Sequence, residues 1–175
     1  MHIQITEGKG IGPTELSAFD QALVHAGVAN YNIIYLSSVL PPGSEVVYEE
    51  TPKPTGGKWG DRLYVVMAQK RVSVRNQEAW AGIGWIQDHK TRQGLLVEHE
   101  GHSEDEVRAD IDHSLTALAR NRNMEFGPHQ MHIVGTKCID LPACALVVAV
   151  LEPAGWQTAG SASKLGGLLP GSGRS

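Results

Sequence analysis

Ala143-Cys144-Ala145-Leu146-Val147-Val148-Ala149-Val150-Leu151 is apolar at every position. A β-branched run of this length, far short of the roughly 20 residues that span a bilayer, reads as a strand whose two faces are both buried. It belongs in the middle of a sheet. Met131 to Gly135 reads with it as one of two closing strands, and His2 to Thr6, Asn32 to Ser38, Leu63 to Ala68, Ala79 to Gln87 and Gly94 to His99 supply further strands. Gly8 to Pro13 reads as a loop, Pro41 to about Trp59 as a long connection, and Val72 to Val74 as part of the next one.

Two helices interrupt the strands. Thr14 is placed as an N-cap with Glu15 in the first turn, where a carboxylate favours the positive end of the helix dipole. That helix runs to about His25, stops near Gly27, and carries the apolar stripe Leu16, Phe19 and Leu23. Ser103-Glu104-Asp105-Glu106 has the form of a capping box, with Ser103 and Glu106 each satisfying the other's amide. Val107, Ile111, Leu115 and Leu118 then share one face. Two amphipathic helices against six or so strands define an α+β domain.

Composition narrows the partners. The 175 residues fit one domain with a full core and no staples. A formal charge of -4, with 15 scattered basic residues, offers no stripe for a phosphate backbone, so nucleic acid is not expected as a partner. Neither a signal peptide nor a membrane span is legible, and two cysteines without Cys-x-x-Cys spacing fit a cytoplasmic protein with reduced thiols. Residues 1-152 form the expected domain; Gly, Ser, Ala and Pro dominate 153-175, which is expected to be a flexible tail.

Three places carry unusual chemistry. Ser37-Ser38 ends the apolar run Asn32-Ile33-Ile34-Tyr35-Leu36 and precedes Val39-Leu40-Pro41-Pro42, so two hydroxyls sit at the end of a strand. A serine held there can attack its own preceding carbonyl. Asp20 follows Leu16 by four residues and precedes Leu23 by three, which puts a carboxylate on the apolar helix face. Either an arginine of this chain or a neighbouring subunit pairs with it, or it waits in a pocket for a cationic ligand. Glu98 alternates with Leu96 and Glu100; on a solvated face it is ordinary, whereas in a cleft burial would favour its protonated form and make it a usable general acid. His99 and His102, and His129 and His132, lack a completing ligand set, and no metal site is expected. Cys138 and Cys144 read as inert buried thiols.

Phe19-Asp20-Gln21-Ala22-Leu23, Ala26-Gly27, Asn30-Tyr31-Asn32, Leu36-Ser37-Ser38-Val39-Leu40-Pro41-Pro42 and Val97-Glu98-His99-Glu100-Gly101 together resemble the pyruvoyl-dependent arginine decarboxylases. Their order and spacing agree over roughly residues 2 to 152. The resemblance implies a four-layer αββα sandwich that cuts itself between Ser37 and Ser38 into a β chain, 1-37, and an α chain, 38-175. Ser38 would attack the Ser37 carbonyl, and elimination and hydrolysis would leave a covalent pyruvoyl group in place of Ser38. Asn32 matches the family asparagine near that carbonyl. The ketone would take up the amine of L-arginine and accept electrons as carbon dioxide leaves, giving agmatine, a compound that can feed polyamine synthesis. Glu98 matches the acid that returns a proton, and Asp20 the acid that grips the guanidinium. Leu16, Leu23 and Val39 fall where the family lines the aliphatic stem. Tyr31 stands where smaller residues occur, which keeps other amino acids open as substrates. A trimer of αβ units with active sites at subunit interfaces is also implied. The alternative of a different class is an unprocessed, non-catalytic trimer that binds or regulates.

Overall fold

The computed structural model describes residues 1–50 and 56–156. In chain order its elements are β1 (His2–Ile11), α1 (Glu15–His25), β2 (Asn32–Tyr35), β3 (Val39–Leu40), β4 (Glu45–Tyr48), β5 (Arg62–Val72), β6 (Glu78–Gln87), β7 (Gly94–Gly101), α2 (Glu104–Arg122), β8 (Gln130–Lys137) and β9 (Ala143–Ala154). β9 is an inner strand, as its apolar run predicts: one sheet is ordered β2-β5-β9-β1-β4 and the other β3-β7-β6-β8. The β1–β4 and β2–β5 pairs are parallel and the remaining pairs antiparallel.

Alternation along β9 explains why it can be apolar throughout. Cys144, Leu146, Val148 and Val150 join Ala18, Ala22 and Leu23 of α1 in one core, with Leu63, Val65 and Met67 of β5. Ala145, Val147 and Ala149 face the other way, into a core shared with Ala81, Ile83, Trp85, Leu96 and Val134 of the second sheet. A third core holds Val107, Ile111 and Leu115 of α2 against Ile86, Leu95 and Val97. The chain is thus α+β, with α1 covering the outer face of the five-stranded sheet and α2 that of the four-stranded one.

Several expected boundaries move, each for a local reason. Gly8 and Gly10 belong to β1 and not to a loop. A Cβ on Gly8 would lie 2.0 Å from the Ala22 carbonyl oxygen, and one on Gly10 2.0 Å from that of Ala18, so these glycines let the helix backbone rest directly on the strand. That contact also rotates α1. Ala18, Ala22 and Leu23 form its buried face, while Leu16, expected on the stripe, is 68% exposed and Phe19 is half-buried. Asp20 consequently stands on the exposed face rather than the apolar one. Val72 completes the eleven-residue β5, and the long connection contains β4, whose Val46 and Val47 are too short an apolar pair to show alternation.

The caps follow local chemistry. Thr14 Oγ1 accepts the Ser17 amide at 3.1 Å, and Ser17 Oγ accepts that of Thr14 at 3.0 Å. Ser103 Oγ accepts the Glu106 amide, but the Glu106 carboxylate takes the His102 amide at 2.7 Å in place of that of Ser103. The reciprocal half of the expected box is displaced by one residue.

Candidate active site

The run Asn32 to Ser38, read as one strand, is a strand only as far as Tyr35. Asn32–Tyr35 forms the edge strand β2 of the five-stranded sheet, and Val39–Leu40 forms β3 at the edge of the other. Leu36, Ser37 and Ser38 are the crossing between sheets, outside both ladders. On one side the Leu36 amide donates to the Val65 carbonyl of β5 at 2.9 Å. On the other, the Leu96 amide of β7 donates to the Ser38 carbonyl at 2.9 Å. Two short strands in different sheets therefore hold the two serines from either end.

Ser38 Oγ donates to Glu98 Oε2 at 2.8 Å, across 60 residues of sequence. The pairing of β7 with β3 and β6 places Glu98: Leu95 faces Val39, and Glu98 lies opposite Ile83. Glu98 itself is exposed, at the open edge of β7 beyond the reach of two-residue β3. A cavity of about 390 Å³ opens here, lined by Ser38, Val97, Glu98, His99, Ser114 and Leu118 among others. His99 Nε2 lies 2.7 Å from Ser114 Oγ, tying the β7 edge to α2. The Ser37 carbonyl accepts the amide of Val39 at 2.6 Å, closing a three-residue turn around Ser38. Val39 itself is 55% exposed beside the serines.

The other expected site residues lie elsewhere in the single chain. Asn32 directs Nδ2 to the Gly60 carbonyl at 2.5 Å, and Trp156 Nε1 donates to the same oxygen at 2.8 Å. The Asn32 amide thus anchors the start of β2 and does not donate to the Ser37 oxygen. Tyr31 donates its hydroxyl to the Gly56 carbonyl and lines a separate cavity of about 400 Å³ with Val24, Ala29, Lys58 and Trp59. Leu16, Asp20 and Val24 succeed one another on the exposed face of α1, and no α1 residue lines the Ser38 cavity. Leu23 is in the core beneath the helix. Ser38, Glu98 and Val39 are brought together; Asn32, Tyr31, Asp20 and Leu16 are not.

Two participants had no side-chain signature in the sequence. The Val39 amide is backbone, and its partner is fixed by the crossing rather than by residue type. His99 was set aside for want of a metal pattern, although alternation already placed it on the face opposite Glu98, where α2 supplies Ser114. Of the other histidines with that spacing, His129 pairs with Asp112 at 2.9 Å and His132 with Glu7 at 2.6 Å, while His102 Nδ1 lies 3.0 Å from the Glu78 carbonyl oxygen. Among the described residues no cluster of three or more His, Cys, Asp or Glu could hold a metal ion. Nor is any described helix long and apolar enough to cross a membrane. Cys138 and Cys144 are buried free thiols, and burial pushes Cys144 up to about 11.

Comparison with known proteins identifies the family. The family model described as pyruvoyl-dependent arginine decarboxylase matches residues 2–153. The chain belongs to that family. Among curated proteins it is similar to a pyruvoyl-dependent arginine decarboxylase of Picrophilus torridus, 35% identical over 108 residues, covering 59% of this chain and 57% of the relative. One from Halobacterium salinarum is 42% identical over 83 residues, 47% of this chain and 51% of the relative. One from Thermococcus kodakarensis is 29% identical over 143 residues, 81% of this chain and 88% of the relative. The chain spans about half the length of the first two.

Proposed function

We propose that this chain cuts itself between Ser37 and Ser38, carries a pyruvoyl group formed from Ser38, and decarboxylates L-arginine to agmatine and carbon dioxide. The observation that carries this reading is the 2.8 Å bond from Ser38 Oγ to Glu98 Oε2 at a chain crossing. The residues present suit such a group. Ser38 is outside both ladders, its peptide is gripped on either side by backbone bonds, and its hydroxyl already touches a carboxylate. A covalent ketone there supplies the electron sink for loss of carbon dioxide.

The chain's own residues do the rest. Glu98 is the nearest acid to the converted position and returns a proton to the substrate α-carbon. Asp20 recognises the guanidinium through paired charge-assisted hydrogen bonds, and Leu16 and Val39 cover the aliphatic stem. Asn32 supports cleavage by pinning the start of β2. Because Asp20 and Leu16 are exposed on α1 and remote from the Ser38 cavity, the complete site requires a second copy of the chain. The reading is therefore a trimer of αβ units, each an αββα four-layer sandwich, with sites between subunits. A covering subunit also removes water from around Glu98, which proton donation from a carboxylic acid needs.

Intact-mass measurement of the purified protein tests processing. Two fragments, 1–37 and a carbonyl-capped 38–175, are expected; an uncut chain of 18.9 kDa would replace this reading with a non-catalytic binding protein. Assays with arginine, ornithine, lysine and aspartate test the substrate, and equal turnover of a non-guanidinium amino acid would remove the arginine assignment.

A further inference from the structure

We infer that the backbone N–H of Val39 is the donor that stabilises the oxyanion when the 37–38 bond is cut. The inference rests on the self-cleavage proposed above and assigns to it a group that side-chain motifs do not reveal. Attack forms a bond from Ser38 Oγ to the Ser37 carbonyl carbon, and the displaced π electrons settle on the Ser37 oxygen. The hydroxyl proton leaves Oγ. As the carbon–nitrogen bond breaks, the Ser38 nitrogen gains a proton, leaving an ester between the Ser37 acyl group and Ser38 Oγ. Atoms and charge balance without a co-reactant, so what the fold must supply is orientation and a donor aimed at the developing negative charge.

Asn32 does not supply that donor in this structure: its side-chain amide donates to the Gly60 carbonyl and makes no hydrogen bond to the Ser37 oxygen. The Ser37 oxygen accepts from Val39 N at 2.6 Å. That donor is also held still. Val39 pairs with Leu95, and the Leu96 amide grips the Ser38 carbonyl at 2.9 Å, so β7 fixes the peptide that carries the N–H. The three-residue turn bends the chain at the bond to be broken and polarises the carbonyl under attack. A preorganised donor of this kind needs no rearrangement as charge develops, which is why removing one from an acyl-transfer site slows reaction by about 100-fold or more.

Replacing Val39 by its α-hydroxy analogue turns the 38–39 amide into an ester, deleting the N–H while keeping the side chain. The rate of appearance of fragment 1–37, followed by intact mass, is expected to fall at least about 100-fold relative to the unmodified chain. Mass also separates this scission from hydrolysis of the introduced ester, which yields 1–38. If the unmodified chain cuts itself and the folded ester chain does so within threefold of its rate, the Val39 assignment is wrong and self-cleavage stands. If the unmodified chain never cuts, both fall. Should the ester chain fail to show a cooperative melting transition, amide hydrogen exchange on the uncut Ser38→Ala protein decides. Protection of the Val39 amide by tenfold or more is expected, and exchange at the free-peptide rate overturns the assignment.

Discussion

Glu98 and Asp20 are both exposed carboxylates in the single chain, yet they make different experimental claims. Glu98→Gln keeps an oxygen that accepts the Ser38 hydroxyl but has no proton to give. Cleavage into two chains is expected to persist while kcat falls by about 100-fold or more, in the range of general acid catalysis. Full turnover by Glu98→Gln would assign proton donation elsewhere. Asp20→Asn removes the charge proposed to meet the guanidinium, and KM for arginine is expected to rise by roughly tenfold to a hundredfold, equivalent to one charge-assisted hydrogen bond. Unchanged KM would dissociate Asp20 from substrate. Ser38 and Glu98 were legible because a hydroxyl pair at a strand end and an acid on an alternating strand are both unusual. Asp20 was legible as an anomaly for the wrong reason. Of the stripe that seemed to bury it, Leu16 is exposed, Phe19 is half-buried and Leu23 alone is in the core, so the buried face lies to one side of Asp20.

At the scale of elements, the seam between α1 and β1 is the contact most sensitive to one atom. Gly10→Ala places a methyl carbon about 2.0 Å from the Ala18 carbonyl oxygen, which only separation of helix and strand can relieve. A loss of about 1–3 kcal/mol is expected, the usual cost of overpacking, and urea unfolding of the uncut Ser38→Ala background measures it. No loss would mean that the helix rides higher than described. Periodicity located both helices and the long strands, because alternation and the Ala143–Leu151 run are long enough to be read. It failed where tertiary contact overrode local pattern. Gly8 and Gly10 look like loop residues until a helix is known to lie on them, and β4 has only Val46 and Val47 to announce it. The end of β2 at Tyr35 and the crossing to the other sheet at Val39 were illegible for the same reason, since adjacent residues carry no mark of which sheet they join.

The whole molecule is held by contacts that join its layers. His132 of β8 bonds Glu7 of β1 at 2.6 Å and stacks on Tyr48 with ring centroids 3.9 Å apart, linking the two sheets. His132→Ala is expected to cost about 1–3 kcal/mol in chemical denaturation, as a hydrogen bond to a charged group does; an unchanged midpoint would show that the link is incidental. Cys144 gives the pH dependence. Burial raises its thiol from an ordinary 9.0 to about 11, so between those values the unfolded chain loses a proton that the folded one keeps. Stability attributable to this group is full below pH 9 and is expected to decline toward pH 11 by about 1–3 kcal/mol. Cys144→Ala should flatten that part of the profile, and an equally steep decline in the variant would place the titration on another group.

The crossing at Ser37–Ser38 has a consequence for how the mature molecule survives. Residues 1–37 contain β1, α1 and β2, and β1 lies inside its sheet between β9 and β4. The proposed scission at the crossing would therefore convert one folding unit into two complementary fragments, neither of which possesses the five-stranded sheet alone. Loss of the native state would remain a first-order escape of one fragment, but refolding would become bimolecular, because two strands of different chains must meet. A cut chain, once denatured, would also lack the bond whose cleavage generated it. Its native form would be reachable from the precursor by a one-way route, and its lifetime would be set by the barrier to fragment escape more than by an equilibrium constant.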